Sequence, residues 1–133
     1  VIFIDTGAFV ARHMARDQYH AAAEKLWKKL RSRPDRCYTS GAVLAEVITL
    51  ISRRAGAGFA AERGRNILAS SRLTLLRPDA NDELEALVIL EKFGDHGLSF
   101  VDALSCALMR RLRIDRVFTF DRHFTLMGFE IFK

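Results

Sequence analysis

Residues 117–124 read VFTFDRHF, and the reading of that stretch decides the fold. A β-branched and aromatic run ends on Thr119 and Phe120, then meets Asp121, Arg122 and His123 before turning apolar again. The chain opens the same way: VIFIDTG, residues 1–7, runs straight into Asp5. Neither run alternates apolar with polar, so each predicts a strand covered on both faces. An aspartate directly after such a strand is either a turn or cap residue or a ligand.

Outward from these runs, strands and helices alternate. Ala22, Leu26, Trp27 and Leu30 fall at helical spacing within 17–31. CYTS (37–40) is a second strand, and Val43, Leu44, Val47, Ile48 and Ile51 share one face of a helix that Ser40 caps. Glycines 56 and 58 break that helix. GAGFAAERG (56–64) follows a helix rather than a strand, so it is expected to be a loop and not a phosphate-binding turn; 59–70 carries a helical pattern. RLTLL (72–76) is a third strand, stopped by Pro78. A helix opening at 79–82 and reaching Phe93, a turn at 94–97, a helix over 99–112, the strand RVFTF (116–120) and a last strand FEIF (129–132) complete the order. This order predicts an α/β fold: a three-layer α/β/α sandwich with a parallel sheet of four or five strands, in a single domain over 1–133.

In open sheets of this kind, sites form beyond the carboxyl ends of the strands. Asp5 and Asp121 both stand there. If their strands are neighbours, the two carboxylates share one crevice; sequence alone does not make them neighbours. Two more acids begin helices. Glu46 lies in the first turns after Ser40, bordering the apolar face, where an acid also suits the helix dipole. Asp102 stands three residues after Ser99, which spells a capping box. Four acids gathered at one sheet edge repel one another unless a cation lies among them. Oxygen ligands alone suit Mg²⁺ or Mn²⁺.

The charge balance is basic: 21 Lys and Arg against 16 Asp and Glu, a net +5. Sixteen of the bases are arginine, whose planar fork suits phosphate, although the same composition also makes an ordinary solvated surface. With the four acids set aside, 21 bases face 12 acids, so the remaining surface is more basic than the total suggests. Arg12, Arg16, Arg53, Arg54, Arg110, Arg111 and Arg122 are the candidate backbone-binding groups. No apolar run approaches the ~18 residues of a membrane span, and the N-terminal run has no basic region or cleavage-like site. Two cysteines, Cys37 and Cys106, are too few for a disulfide framework, and Cys106 sits among apolar helix residues. A reducing, cytoplasmic setting is the expectation.

Other chemistries find little support. The four histidines show no zinc spacing, and GxSxG, GxGxxG and GxxxxGK[ST] are all missing. His123 is expected to be partly buried or solvent-facing rather than a direct participant. A haloacid-dehalogenase-type phosphatase would need a second aspartate where Gly7 stands, and a receiver domain would need a lysine after a later strand.

Taken together, FIDTGAF (3–9), SGAVLAEV (40–47), LSFVDALSCALM (98–109) and VFTFDRHF (117–124) make the chain resemble the PIN-domain nucleases, and among them the toxin-like VapC group, over essentially its whole length. The resemblance implies that the first strand and the strand before Asp121 are adjacent. It implies hydrolysis of RNA phosphodiester bonds with Mg²⁺ (or Mn²⁺), leaving a 5′-phosphate and a 3′-hydroxyl. Asp5, Glu46, Asp102 and Asp121 are then the metal ligands and catalytic acids. Thr6 and Thr119 act beside them as hydroxyls, with Ser40 a third; Asp95 is an outer acid or a plain turn residue. A small antitoxin protein is the implied partner, its tail extending an arginine toward the acids. A homodimer is implied as well, with the region around Leu26, Trp27 and Leu30 one option for its contact, although Trp27 fits the core equally well. A housekeeping RNA-processing nuclease and a non-catalytic RNA- or protein-binding PIN domain are the alternatives; the complete acid set argues against the latter.

Overall fold

The computed structural model describes residues 1–133. Five strands, β1 (Ile2–Ile4), β2 (Cys37–Ser40), β3 (Leu73–Leu76), β4 (Arg116–Phe118) and β5 (Glu130–Ile131), form one sheet in the order β3-β2-β1-β4-β5. Every pairing is parallel. The helices α1 (Thr6–His13), α2 (His20–Arg31), α3 (Gly41–Ala55), α4 (Ala57–Ala69), α5 (Ala80–Phe93), α6 (Phe100–Leu112) and α7 (His123–Leu126) flank it, with a short 3₁₀ turn at Gly94–His96. This is the expected α/β class. None of the helices is long and apolar enough to cross a membrane.

The central strand explains its own sequence. Ile2, Phe3 and Ile4 are all fully buried, so β1 has no face to give to polar residues. β1 pairs with β4 in the register Ile2 to Arg116, Phe3 to Val117 and Ile4 to Phe118. The two strands are therefore neighbours, and Asp5 and Thr119 each stand one residue past the paired ends. The Asp5 N–H donates to the Phe118 carbonyl at 3.0 Å, which extends the ladder to the acid itself. From β1 the chain moves outward to β2 and β3, while β4 and β5 fill the other side. The strand order thus reverses between β1 and β4, where a crevice opens.

Trp27 takes the second of its two readings, a core residue. It is 8% exposed, and its indole N–H donates to the Ala8 carbonyl at 3.0 Å. Its ring lies 5.5 Å from Phe9 and 5.1 Å from Phe118. Leu30 is buried as well. Trp27 and Leu30 of the α2 face offered as a dimer contact are therefore packed into the core, which leaves only Ala22 and part of Leu26 at the surface.

Two other segments differ from expectation. The eight residues of α1 were not foreseen as a helix; Thr6, Ala8, Phe9, Val10 and Ala11 bury its inner side, and packing outweighs a short, glycine-bearing sequence. The GAGFAAERG stretch is not a loop, because α4 begins at Ala57. Gly56 alone makes the break, at φ +94°, where an L side chain is strained. Gly64 is a packing glycine: a Cβ there would sit 2.9 Å from Ile48 Cδ1 of α3.

Candidate active site

At the carboxyl ends of β1 and β4 lies a cleft of about 510 Å³, and Asp5, Thr6, Glu46, Asp102, Thr119 and Asp121 all line it. Four separate segments of chain bring these six together. Asp5 follows β1, Glu46 lies in the second turn of α3, Asp102 in the first turn of α6, and Thr119 and Asp121 follow β4.

The turn and cap readings of these acids resolve residue by residue. Asp5 occupies the cap position of α1, yet its carboxylate makes no capping bond. Instead Oδ2 accepts from the Thr119 hydroxyl at 2.8 Å, and Oδ1 is buried without a partner. Asp102 does close the capping box: its N–H donates to Ser99 Oγ, and its Oδ2 accepts from the Ser99 N–H, both at 3.1 Å. Asp121 makes a local turn, Oδ1 accepting from the His123 N–H at 2.9 Å. For Asp102 and Asp121, a structural role and a place in the cleft coexist.

The electrostatics mark Asp5 as the centre. It is 3% exposed, and burial first, then the negative charge of Asp102, pushes its carboxyl up to about 7; the Thr119 hydrogen bond opposes that rise. Burial also raises Glu46, with Asp102 adding to the rise; the Thr6 hydroxyl beside it works the other way without reaching full hydrogen-bond geometry. Asp102 is raised by burial, an effect that Ser99 offsets and Asp121 reinforces.

His123 is partly buried, as the sequence reading expects, and it stands beside two of the acids. Asp102, Asp121 and His123 each offer a ligating atom, all within 4.8 Å of one another. The His123 Nδ1 lies 2.6 Å from Asp121 Oδ1, a charge contact off the line of an ideal hydrogen bond, and this contact holds the imidazole above its ordinary pKa. The signal was its place two residues after an acid in a turn that folds side chain onto side chain.

Other expected residues fall elsewhere. Ser40 is buried and accepts from the Val43 N–H at 3.1 Å, so its hydroxyl caps α3 and does not line the cleft. Asp95 is exposed in the 3₁₀ turn. Among the seven arginines, Arg54 and Arg122 line the cleft. Arg111 instead binds Asp82 at 2.8 Å, and Arg12 lies 4.6 Å above the Trp27 ring. Gln18, Tyr19 and Phe120, which the sequence did not single out, also line the cleft.

A fold and an acid cleft of this kind define a nuclease class, and the comparisons with known proteins agree. The model of the PIN domain matches residues 2–130. The chain is 36% identical over 129 residues to the 23S rRNA-specific endonuclease VapC20 of Mycobacterium tuberculosis, in both strains CDC 1551 / Oshkosh and ATCC 25618 / H37Rv, covering 97% of this chain and 95% of the relative. The crystal structure of VapC20, described as a sarcin–ricin loop cleaving toxin, superposes with a TM-score of 0.88 at 34% identity, over 98% of this chain and 97% of that one. The structure of VapBC2 from Rickettsia felis, bound to a DNA fragment from its promoter, shares the fold at 17% identity and a TM-score of 0.67, over 99% and 98% of the two chains. The chain belongs to the PIN-domain family, within its group of VapC-like toxin endoribonucleases.

Proposed function

We propose that this chain hydrolyses RNA phosphodiester bonds with Mg²⁺ or Mn²⁺ held by Asp5, Asp102 and Asp121, with Glu46 completing the acid set. The observation that carries the reading is the buried Asp5 Oδ1, left without a hydrogen-bond partner among other carboxylates. An unpaired buried acceptor is costly, and a cation at the cleft satisfies it. Asp102 and Asp121 offer the oxygen that a hard cation requires, and His123 is the third side chain that converges with them. A divalent cation in this cleft supplies charge neutralisation at the phosphoryl oxygens and lowers the pKa of a water.

The residues supply the rest. Thr119 fixes Asp5 in one orientation. Glu46, raised by burial, is suited to take a proton from the attacking water. The Thr6 hydroxyl, buried beside Glu46 without a hydrogen-bond partner, is placed to orient the attacking water. Arg54 and Arg122 steer the RNA backbone to the cleft. The products are a 5′-phosphate and a 3′-hydroxyl, and the machinery is contained in one domain over 1–133.

The substrate class follows the relatives: a structured ribosomal RNA loop is the first RNA to test. Incubation of labelled RNA in EDTA should abolish cleavage, and restored Mg²⁺ or Mn²⁺ should return it; undiminished cleavage in EDTA sinks the reading.

The same reading includes a small antitoxin whose tail brings an arginine to Asp5 and Asp121 in place of the cation. Copurification in an inactive complex that Mn²⁺ relieves supports it, and a fully active copurified complex refutes it. The chain pairs as a homodimer through α5, where Leu84, Leu87 and Val88 form an exposed apolar stripe at helical spacing. Light scattering should give twice 15.1 kDa, and a Val88→Glu variant that stays dimeric excludes this contact. A cytoplasmic location accords with two buried, free cysteines; appearance of the protein only in a periplasmic fraction would refute it.

A further inference from the structure

One wall of the acid cleft is aromatic, and the catalytic reading leaves it unused. Tyr19 stacks on Phe120 with ring centroids 4.7 Å apart and planes 4° from parallel. Phe120 in turn meets Phe118 edge-on, at 6.0 Å and 71°. Phe118 is fully buried in the core, so the stack is anchored there and built outward into the cleft. Tyr19 ends the stack and is 42% exposed.

The segment that carries Tyr19 is held in place. The Tyr19 N–H donates to Asp17 Oδ1 at 2.8 Å, and the His20 N–H to the Asp17 carbonyl at 3.0 Å. Asp17 Oδ2 lies 3.8 Å from the Arg54 guanidinium of α3. Phe120 directly precedes Asp121, and Arg122 directly follows it. An aromatic ring, an acid and a cation thus come from three consecutive residues beside one cleft.

Unpaired RNA bases are recognised chiefly by stacking on aromatic rings, while arginine holds the neighbouring phosphate. We infer that the Tyr19–Phe120 stack is a base platform: Tyr19 receives an unpaired base of the RNA next to the phosphate at Asp121, and Arg122 holds the adjoining phosphate. The inference rests on the ribonuclease reading and adds to it a positioning residue for the substrate. Because every base has a π-face, the platform requires an unpaired nucleotide at that position and tolerates different bases. It therefore favours loops and single strands over duplex.

The test separates the platform from a simple apolar cover over Phe120. A stem-loop RNA carrying 2-aminopurine at successive loop positions is titrated with the full chain in EDTA. Wild type and Tyr19→Phe should quench the fluorescence at one position. Tyr19→Leu, which still covers Phe120, should lose that quenching and bind about tenfold more weakly. An abasic nucleotide at the quenched position should weaken wild type by a similar factor and leave Tyr19→Leu unaffected. In Mg²⁺, Tyr19→Leu should raise KM by about the same factor with kcat nearly unchanged. Equal binding by wild type and Tyr19→Leu, an equal abasic penalty in both, or failure of wild type to bind the RNA overturns the platform. Absence of Mg²⁺-dependent cleavage by every variant overturns the ribonuclease reading instead.

Discussion

The Thr119 hydroxyl ties Asp5 to Asp121. It donates to Asp5 Oδ2 at 2.8 Å and accepts from the Asp121 N–H at 3.0 Å, and the residue is 2% exposed. Thr119 and Asp5 are separated by 114 positions in sequence and joined because β1 and β4 are neighbours. One hydroxyl thereby sets the spacing of two acids on adjacent strands.

Thr119→Val keeps the shape and removes both bonds. It should reduce cleavage by about ten- to a hundredfold, as loss of a group that orients a metal ligand does. It should also destabilise the fold by ~1–3 kcal/mol, since the Asp121 N–H is left unpaired. Thr119→Ser should recover most of both. Cleavage rates with urea melts check this; full activity in the valine variant refutes the tie.

Asp5 gives a pH signature without metal. Its carboxyl titrates near 3.8 when unfolded and about 7 when folded. Between these values the folded chain binds the extra proton, so stability falls as pH rises through roughly 4 to 7. Above 7 the full penalty is present. Asp5→Asn should flatten most of that slope, the raised Glu46 and Asp102 keeping a smaller one, and should melt higher than wild type in EDTA at alkaline pH, by on the order of 2 kcal/mol. It should also cut cleavage by about a hundredfold or more. Melting curves across pH decide the matter: an unchanged slope in the variant contradicts it.

Asp102 is both a cap and a cleft residue, and two variants part those roles. Ser99→Ala breaks the capping box and should cost ~1 kcal/mol of stability. It should leave most of the activity, because the carboxylate remains. Asp102→Asn keeps an acceptor for the Ser99 N–H and should remain folded, yet lose cleavage. Parallel circular dichroism and cleavage assays expose the difference; if Asp102→Asn unfolds, the cap was its main role.

How far the sequence reached depends on the range of each signal. Burial of β1 and β4 on both faces was legible from VIFI and VFTF, because an unbroken apolar run has one main structural meaning. The acids at strand ends followed from topology. Trp27 was not resolved, since helical spacing shows which residues share a face and not what covers it. The contact of His123 with Asp121 was not legible, because it depends on the geometry of a turn. Helix α1 was missed because its stability comes from Trp27 and the sheet packed against it. The Gly56–Gly64 stretch misled, as one glycine breaks a helix and another lets α3 and α4 approach.

Away from the cleft, Asp35 contributes to acid stability. Arg33 lies 2.6 Å from it and Arg116 2.7 Å, and these hold its carboxyl down at about 2. The contribution is present above the unfolded value near 3.8 and is lost as pH falls toward 2. Asp35→Asn should cost ~1–2 kcal/mol at neutral pH, allowing for the partial exposure of both arginines. It should also flatten the loss of stability below pH 4. Acid titrations of wild type and variant that run parallel would contradict this.

The central claim is that the acids of the β1–β4 crevice hold a divalent cation. Crystals of the protein soaked in Mn²⁺ and measured at the manganese absorption edge test it most directly. The account predicts an anomalous peak among Asp5, Asp102 and Asp121, and its loss in Asp102→Asn crystals treated alike. A peak seated elsewhere, or an empty crevice in a protein that cleaves RNA under the same Mn²⁺ concentration, would contradict it.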